Sequence, residues 1–189
     1  MQKERKEWQE KQKDLDVTKL RFLDEMGTNC GMTRIYGRAP RNERVNDYVP
    51  DIRFERTSLI ATLGVGGVDA TLMYKGTLNG DLFEWYVTNI LAPTLKIGEI
   101  VIMDSCSAHK VAGALDAIIE AGATVMFLPR YSPDFNPIEL MFSKNKSTLR
   151  KLKPRTHDDL VDSTGIALEA VTYSDVVGWF EFQGYSVNI

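Results

Sequence analysis

The stretch LPRYSPDFNPIEL, residues 128–140, joins three prolines to a lone glutamate. Pro129, Pro133 and Pro137 each fix a backbone angle, and Glu139 follows two residues after the last of them. Two further acids close apolar runs that read as strands: Asp24 in KLRFLDEM (19–26) and Asp104 in EIVIMD (99–104). In open sheets with helical crossovers, ligands collect beyond the carboxyl ends of the strands. Three carboxylates meeting there would suit a hard divalent cation such as Mg²⁺, which takes oxygen ligands. The chain offers no His/Cys cluster of the kind zinc selects.

Each acid also has a plain structural reading, and the residues alone leave both open. Asn136 is a natural N-cap and Pro137 fits the first helical position, so Asn136-x-x-Glu139 resembles a capping box. Asp24 is readable as an ordinary strand-end acid, with Glu25 beside it an equal candidate, and Asp104 as the cap of the turn that follows. A capping box does not explain the stiff run before the helix. That run fixes where Glu139 points relative to the strand ending near Phe127, the preorganisation a metal site needs.

The elements that would position these acids follow from periodicity. After the first strand, residues 27–56 are rich in Gly, Arg and Asn, with Pro40 and Pro50, and read as a long loop; such loops are usually functional when ordered. TSLIATLGV (57–65) and VDATLMYKG (68–76) form a hairpin around Gly66–Gly67. Residues 80–95 carry apolar side chains at helical spacing until Pro93. A strand over 99–104, a helix over 109–122, a strand over 124–129, a helix from Pro137 to about Leu152, a helix over 156–171 and a short helix over 174–185 complete the order. Three strands as a meander, then helix-connected parallel strands, predict an α/β fold with a mixed sheet flanked by helices. Residues 1–17 read as a charged linker or helical arm, with Trp8 and Leu15 its only large apolar side chains up to residue 16; residues 18–189 read as one domain.

Composition narrows the class. The chain has 189 residues, 43% hydrophobic and 26% charged, enough for one sizeable core. It has no apolar run long enough to span a membrane and no signal-type N-terminus, and its two cysteines, Cys30 and Cys106, give no disulfide framework, so a cytoplasmic setting is expected. A net charge of −3 argues against nucleic acid, but the distribution does not. Lys144, Lys146, Arg150, Lys151, Lys153 and Arg155 run without an intervening acid, and Arg34, Arg38, Arg41 and Arg44 form a second cluster. Local basic patches matter more for phosphate than the total charge does.

Four segments together resemble the catalytic domain of mariner-type DDE transposases, in the bacterial insertion-sequence-six-thirty group. They are FLDEMG (22–27), RIYGRAPRNERV (34–45), VIMDSCSAHK (101–110) and FLPRYSPDFNPIELMFSKNK (127–146). The last is the most specific, and 34 residues separate Asp104 from Glu139, a spacing that family uses. Ser105 stands where those proteins usually have Asn, and Arg130 where a second Pro is common.

The resemblance implies a ribonuclease-H-like fold and a catalytic, metal-binding triad of Asp24, Asp104 and Glu139 holding two Mg²⁺ or Mn²⁺ ions. It implies cleavage and strand transfer of double-stranded DNA, at terminal inverted repeats and at a target. It also implies DNA contacts from His109, Lys110, Arg34, Arg38, Lys144, Lys146 and Arg150, and a homodimer placed at the nucleoid. Helix-turn-helix domains are expected from an upstream frame or a full-length protein. The alternative is a truncated fragment, without catalysis, that pairs with full-length transposase and inhibits it.

Overall fold

The computed structural model describes residues 2–51 and 53–187. A five-stranded sheet in the order β3-β2-β1-β4-β5 organises the chain. Its strands are β1 (Leu20–Thr28), β2 (Thr57–Gly64), β3 (Gly67–Lys75), β4 (Ile100–Met103) and β5 (Thr124–Phe127). The first three form an antiparallel meander, and β4 and β5 join β1 in parallel. The helices are α1 (Gln2–Gln12), α2 (Gly80–Tyr86), α3 (Ala112–Glu120), α4 (Pro137–Leu152), α5 (His157–Glu169) and α6 (Tyr173–Phe182). The α/β class and the mixed sheet expected from the sequence are both present.

The pleat sorts the core into two layers, because successive side chains on a strand face opposite sides. Phe22 on β1, Leu63 on β2 and Ile102 on β4 pack against Phe142, Phe180 and Tyr185 on the side covered by α4 and α6. Their neighbours Leu23, Ile60, Val101 and Met103 pack against Phe83, Tyr86 and Ile118 on the side covered by α2 and α3. All eight residues of β2 are buried, as a strand between two neighbours with helices on both faces must be. Phe22 meets Phe180 and Tyr185 edge-on, with ring centroids 5.5 and 5.1 Å away, the arrangement aromatic quadrupoles favour.

Several boundaries differ from the sequence reading. The strand carrying Asp24 runs on to Thr28, because pairing with β2 continues as far as Thr28↔Thr57. Asp24 therefore lies inside a strand instead of closing one. The helix expected over 80–95 is regular only to Tyr86. It then widens through Val87–Leu91, where the Ala92 amide donates to the Val87 carbonyl five residues back, and ends in a tight turn over Ala92–Thr94 that contains Pro93. The helix expected from His109 begins at Ala112 instead, and His109 belongs to a separate 3₁₀ turn, Ser107–Lys110. Gly67 occupies a left-handed conformation (φ 119°) where β2 turns into β3, as the hairpin signal required.

Residues 1–17 contain a helix that joins the core. Trp8 is buried in the α4 and α6 layer and donates its indole N–H to the Tyr185 hydroxyl at 3.2 Å. Gln12, also buried, donates its side-chain amide to the carbonyls of Gln183 and Gly184 at 3.1 and 2.8 Å.

Candidate active site

Register brings the two aspartates together. Strands β1 and β4 pair in parallel up to Leu23↔Met103, so the next residue of each, Asp24 and Asp104, emerges where their pairing stops. Both share the parity of Phe22 and Ile102, whose side chains face α4. Glu25 has the opposite parity. It accepts from Arg56 at 2.7 Å and from the Ser58 hydroxyl at 2.9 Å, and this ion pair on the other face removes it as an alternative to Asp24.

The third carboxylate arrives on the same face. Strand β5 ends at Phe127, and the Leu128 amide still donates to the Met103 carbonyl at 2.9 Å, holding the start of the proline-rich turn beside β4. The chain passes Tyr131 in a left-handed conformation (φ 54°), makes a 3₁₀ turn over Pro133–Phe135 and enters α4 at Pro137. Ile138, Met141 and Phe142 anchor the first turns of α4 in the core, which leaves Glu139 exposed. Asp24, Asp104 and Glu139 line one cavity of about 430 Å³, together with Ser105, Cys106 and Asn136.

Their environments differ. Burial pushes the Asp24 carboxyl up to about 7, helped by the nearby charges of Glu139 and Asp104 and opposed by a 2.7 Å bond from the Glu25 amide. Asp104 is half-exposed and held below the usual carboxylate range, first by His109 and then by the Cys106 amide, which donates to it at 2.9 Å. The Nδ1 atom of His109 lies 2.7 Å from Asp104, a contact made by proximity and not by straight hydrogen-bond geometry.

The donor set fits a hard divalent cation in kind. It is all oxygen, and it includes a half-buried carboxylate, Asp24, whose charge no lysine or arginine ion pair offsets among the described residues. It is not a closed cage: among the described residues no group of three His, Cys, Asp or Glu side chains stands as the ligand set of one ion. Both oxygens of Asp24 already accept hydrogen bonds, and Asp104 Oδ1 is engaged by His109 and Cys106.

The capping-box reading of Glu139 fails on its other partner. Asn136 has the extended backbone of an N-cap, but its side chain caps nothing; its Nδ2 donates to Asp24 Oδ2 at 2.8 Å. Nothing in the sequence distinguishes this from capping, since both use the same residue at the same position. His109 is likewise not the surface residue that a phosphate contact requires. It is 3% exposed, its ring 4.8 Å from that of Phe83, so it acts on Asp104 from below.

The basic residues divide. Arg34 and Arg38 are exposed in the segment between β1 and β2, and Lys110 is exposed with its ammonium 5.6 Å from the Phe127 ring. Lys146 and Arg150 share a face of α4 and are partly exposed. Lys144 is committed elsewhere: its ammonium bonds Asp175 at 2.5 Å and the Ala170 carbonyl at 2.8 Å, tying α4 to the start of α6. Lys153 pairs with Asp47 at 2.6 Å, and Arg155 donates to the Cys30 and Met32 carbonyls at 3.0 and 3.2 Å. Half of the basic run thus fastens helices and the early loop.

The sheet order, the carboxylates where the pairing of β1 with β4 stops and the acid at the head of α4 define the ribonuclease-H-like class. The solved structures agree in fold. A Mos1 mariner paired-end complex with Mn superposes with a TM-score of 0.77 at 16% identity, over 95% of this chain and 58% of that one. The catalytic domain of Mos1 mariner transposase gives 0.71 at 14% identity, over 96% and 85%. A Mos1 paired-end complex with the left transposon end gives 0.76 at 14%, over 95% and 56%, so this chain spans a little over half the length of the chains in such complexes. No curated protein sequence matches the chain. The family model of the DDE superfamily endonucleases matches residues 19–161, and the chain belongs to that family.

Proposed function

We propose that this chain is the catalytic domain of a DDE transposase of the bacterial insertion-sequence-six-thirty group, which cuts DNA at the element's ends and joins the freed 3′ ends to a target. The observation that carries this reading is the lining of one cavity by three acids drawn from residues 24, 104 and 139. Asp24, Asp104 and Glu139 would hold two Mg²⁺ or Mn²⁺ ions. When bound, such a pair activates the attacking oxygen and stabilises the leaving oxygen of an in-line displacement at phosphorus.

The chain's own residues have the remaining tasks. Asp24 and Asp104 present oxygen where the pairing of β1 with β4 stops, and the proline-rich turn brings Glu139 into the same cavity. His109 and the Cys106 amide hold Asp104 ionised. Lys110, Lys146, Arg150, Arg34 and Arg38 would take the DNA backbone, which supplies affinity and orientation without sequence information. End recognition is assigned to helix-turn-helix domains outside this chain. The exposed Ile35, Tyr36, Tyr48 and Val49 of the early loop support a dimer, as apolar side chains that a second subunit would cover.

The test is cleavage of duplex DNA carrying the element's own ends in Mg²⁺. Wild-type protein nicks the duplex, and Asp24→Asn, Asp104→Asn and Glu139→Gln do not, while keeping cooperative unfolding. Nicking by the triple variant would overturn the assignment.

A further inference from the structure

Asn136 is 3% exposed and lines the cavity, yet its side chain does not do what its position offers. An asparagine at an N-cap normally accepts from the second or third amide of its helix and so stabilises it. Here that bond is not made, and the amide is turned toward the acids. A local rule broken at a buried polar residue is the signature of a site whose demands outrank helix stability.

The direction of the amide follows from chemistry. A carboxylate able to ligate a cation is ionised and only accepts, so the group 2.8 Å from Asp24 Oδ2 is the NH₂ end. The other end, Oδ1, is buried and has no partner among the described residues. An orphaned buried carbonyl carries a desolvation cost unless something donates to it. No donor among the described residues does, and the cavity it borders holds the acids.

The turn keeps Asn136 in place. Its amide donates to the Pro133 carbonyl at 3.1 Å, and the Tyr185 hydroxyl donates to the Phe135 carbonyl at 2.8 Å. From the other side Arg5 grips Asp134 and the Ser132 hydroxyl, with its guanidinium carbon 4.6 Å from the centre of the Phe135 ring. The backbone before α4 is thus tied to both ends of the chain, and Asn136 cannot swing back to cap without breaking its bond to Asp24.

We propose that Asn136 is a positioning residue of the carboxylate site, fixing the rotamer of Asp24 through Nδ2 and accepting through Oδ1 a hydrogen bond from water carried by a bound divalent cation. This rests on the function proposed above and deepens it. Partners just outside a ligand set orient it, and their loss typically costs about 10–100-fold in metal affinity.

The experiment is calorimetric titration of the full chain, free of DNA, with Mn²⁺. Wild type is compared with Asn136→Leu, which fills the space without polar atoms, and with Asn136→Ala. Thermal unfolding in EDTA is measured alongside. Both variants are expected to bind Mn²⁺ at least about tenfold more weakly. Their cation-free midpoints should fall by no more than about 4 °C, the shift one lost hydrogen bond gives a domain of this size. Affinity within twofold of wild type in both variants overturns the proposal. So does loss of cooperative unfolding in both, which makes Asn136 a structural residue. Wild-type protein that binds no Mn²⁺ defeats the function itself, an outcome distinct from wild-type binding that Asp24→Asn abolishes and Asn136→Leu leaves intact.

Discussion

The two ends of the β1–β4 pairing treat charge in opposite ways. At the amino end, Arg21 sits between two acids, 2.5 Å from Asp69 and 3.7 Å from Glu99. The Asp69 carboxylate also takes the Thr62 hydroxyl, and the Glu99 carboxylate takes the Lys96 amide at 2.9 Å. At the carboxyl end, Asp24, Asp104 and Glu139 share a cavity, and among the described residues no lysine or arginine forms an ion pair with them. One end has an arginine partner from within the chain, and the other is left for a cation from outside. Three carboxylates gathered in one cavity without a lysine or arginine partner mark a functional end, because their mutual repulsion is best relieved by a cation.

The largest expected effect separates the two ends by activity. Replacing any one acid of the carboxyl end should lower Mg²⁺-dependent nicking about a thousandfold or more, the several kcal/mol that paired ions contribute to such a displacement. Arg21→Ala should leave the intrinsic cleavage of correctly folded protein near wild type. Its effect belongs to stability instead. Denaturant titration should show a loss of about 2 kcal/mol, below the cost at a fully buried pair because Asp69 is half open to solvent. Equal losses of stability at the two ends would erase the contrast.

A subtler test uses pH. The folded-state value of Asp24, about 7, stands above its ordinary 3.8. Between those values the folded chain holds a proton that the unfolded chain releases, so this group makes stability fall as pH rises through that window. Cation-free unfolding should show this fall in wild type and not in Asp24→Asn, and Mg²⁺ at pH 8 should stabilise wild type more than the variant. Asp175, held at about 2 chiefly by Lys144, behaves oppositely: its contribution is present above the ordinary carboxylate range and is lost as pH falls through about 2.

The smallest effects divide the basic helix. Lys144→Met should lower stability by under about 1 kcal/mol, as for a partly exposed ion pair, and leave the salt dependence of DNA affinity unchanged. Lys146→Ala should leave stability unchanged and reduce the slope of log affinity against log salt by about one, the mark of one lost phosphate contact.

Much of this molecule was legible in its residues. Apolar runs ending in acids gave the strands, and Pro137 with Asn136 gave the start of α4, because steric limits on proline and the period of side chains act locally. The three acids could be singled out one by one, but so could Glu25, and only strand pairing decided between them. The register Leu23↔Met103 sets Asp24 beside Asp104, while the alternation of the pleat sends Glu25 to Arg56 on the far face. The burial of His109 against Phe83, the diversion of Lys144 to Asp175 and the turning of Asn136 away from its helix were equally invisible. Each depends on a partner at least 26 residues away in the chain, and a side chain's competing bonds are settled by which partner the fold holds within reach. The sequence alone determined which groups were available for chemistry. Tertiary structure alone decided which of them were gathered in one cavity without a lysine or arginine partner, because that depends on packing across the whole sheet and on no single segment.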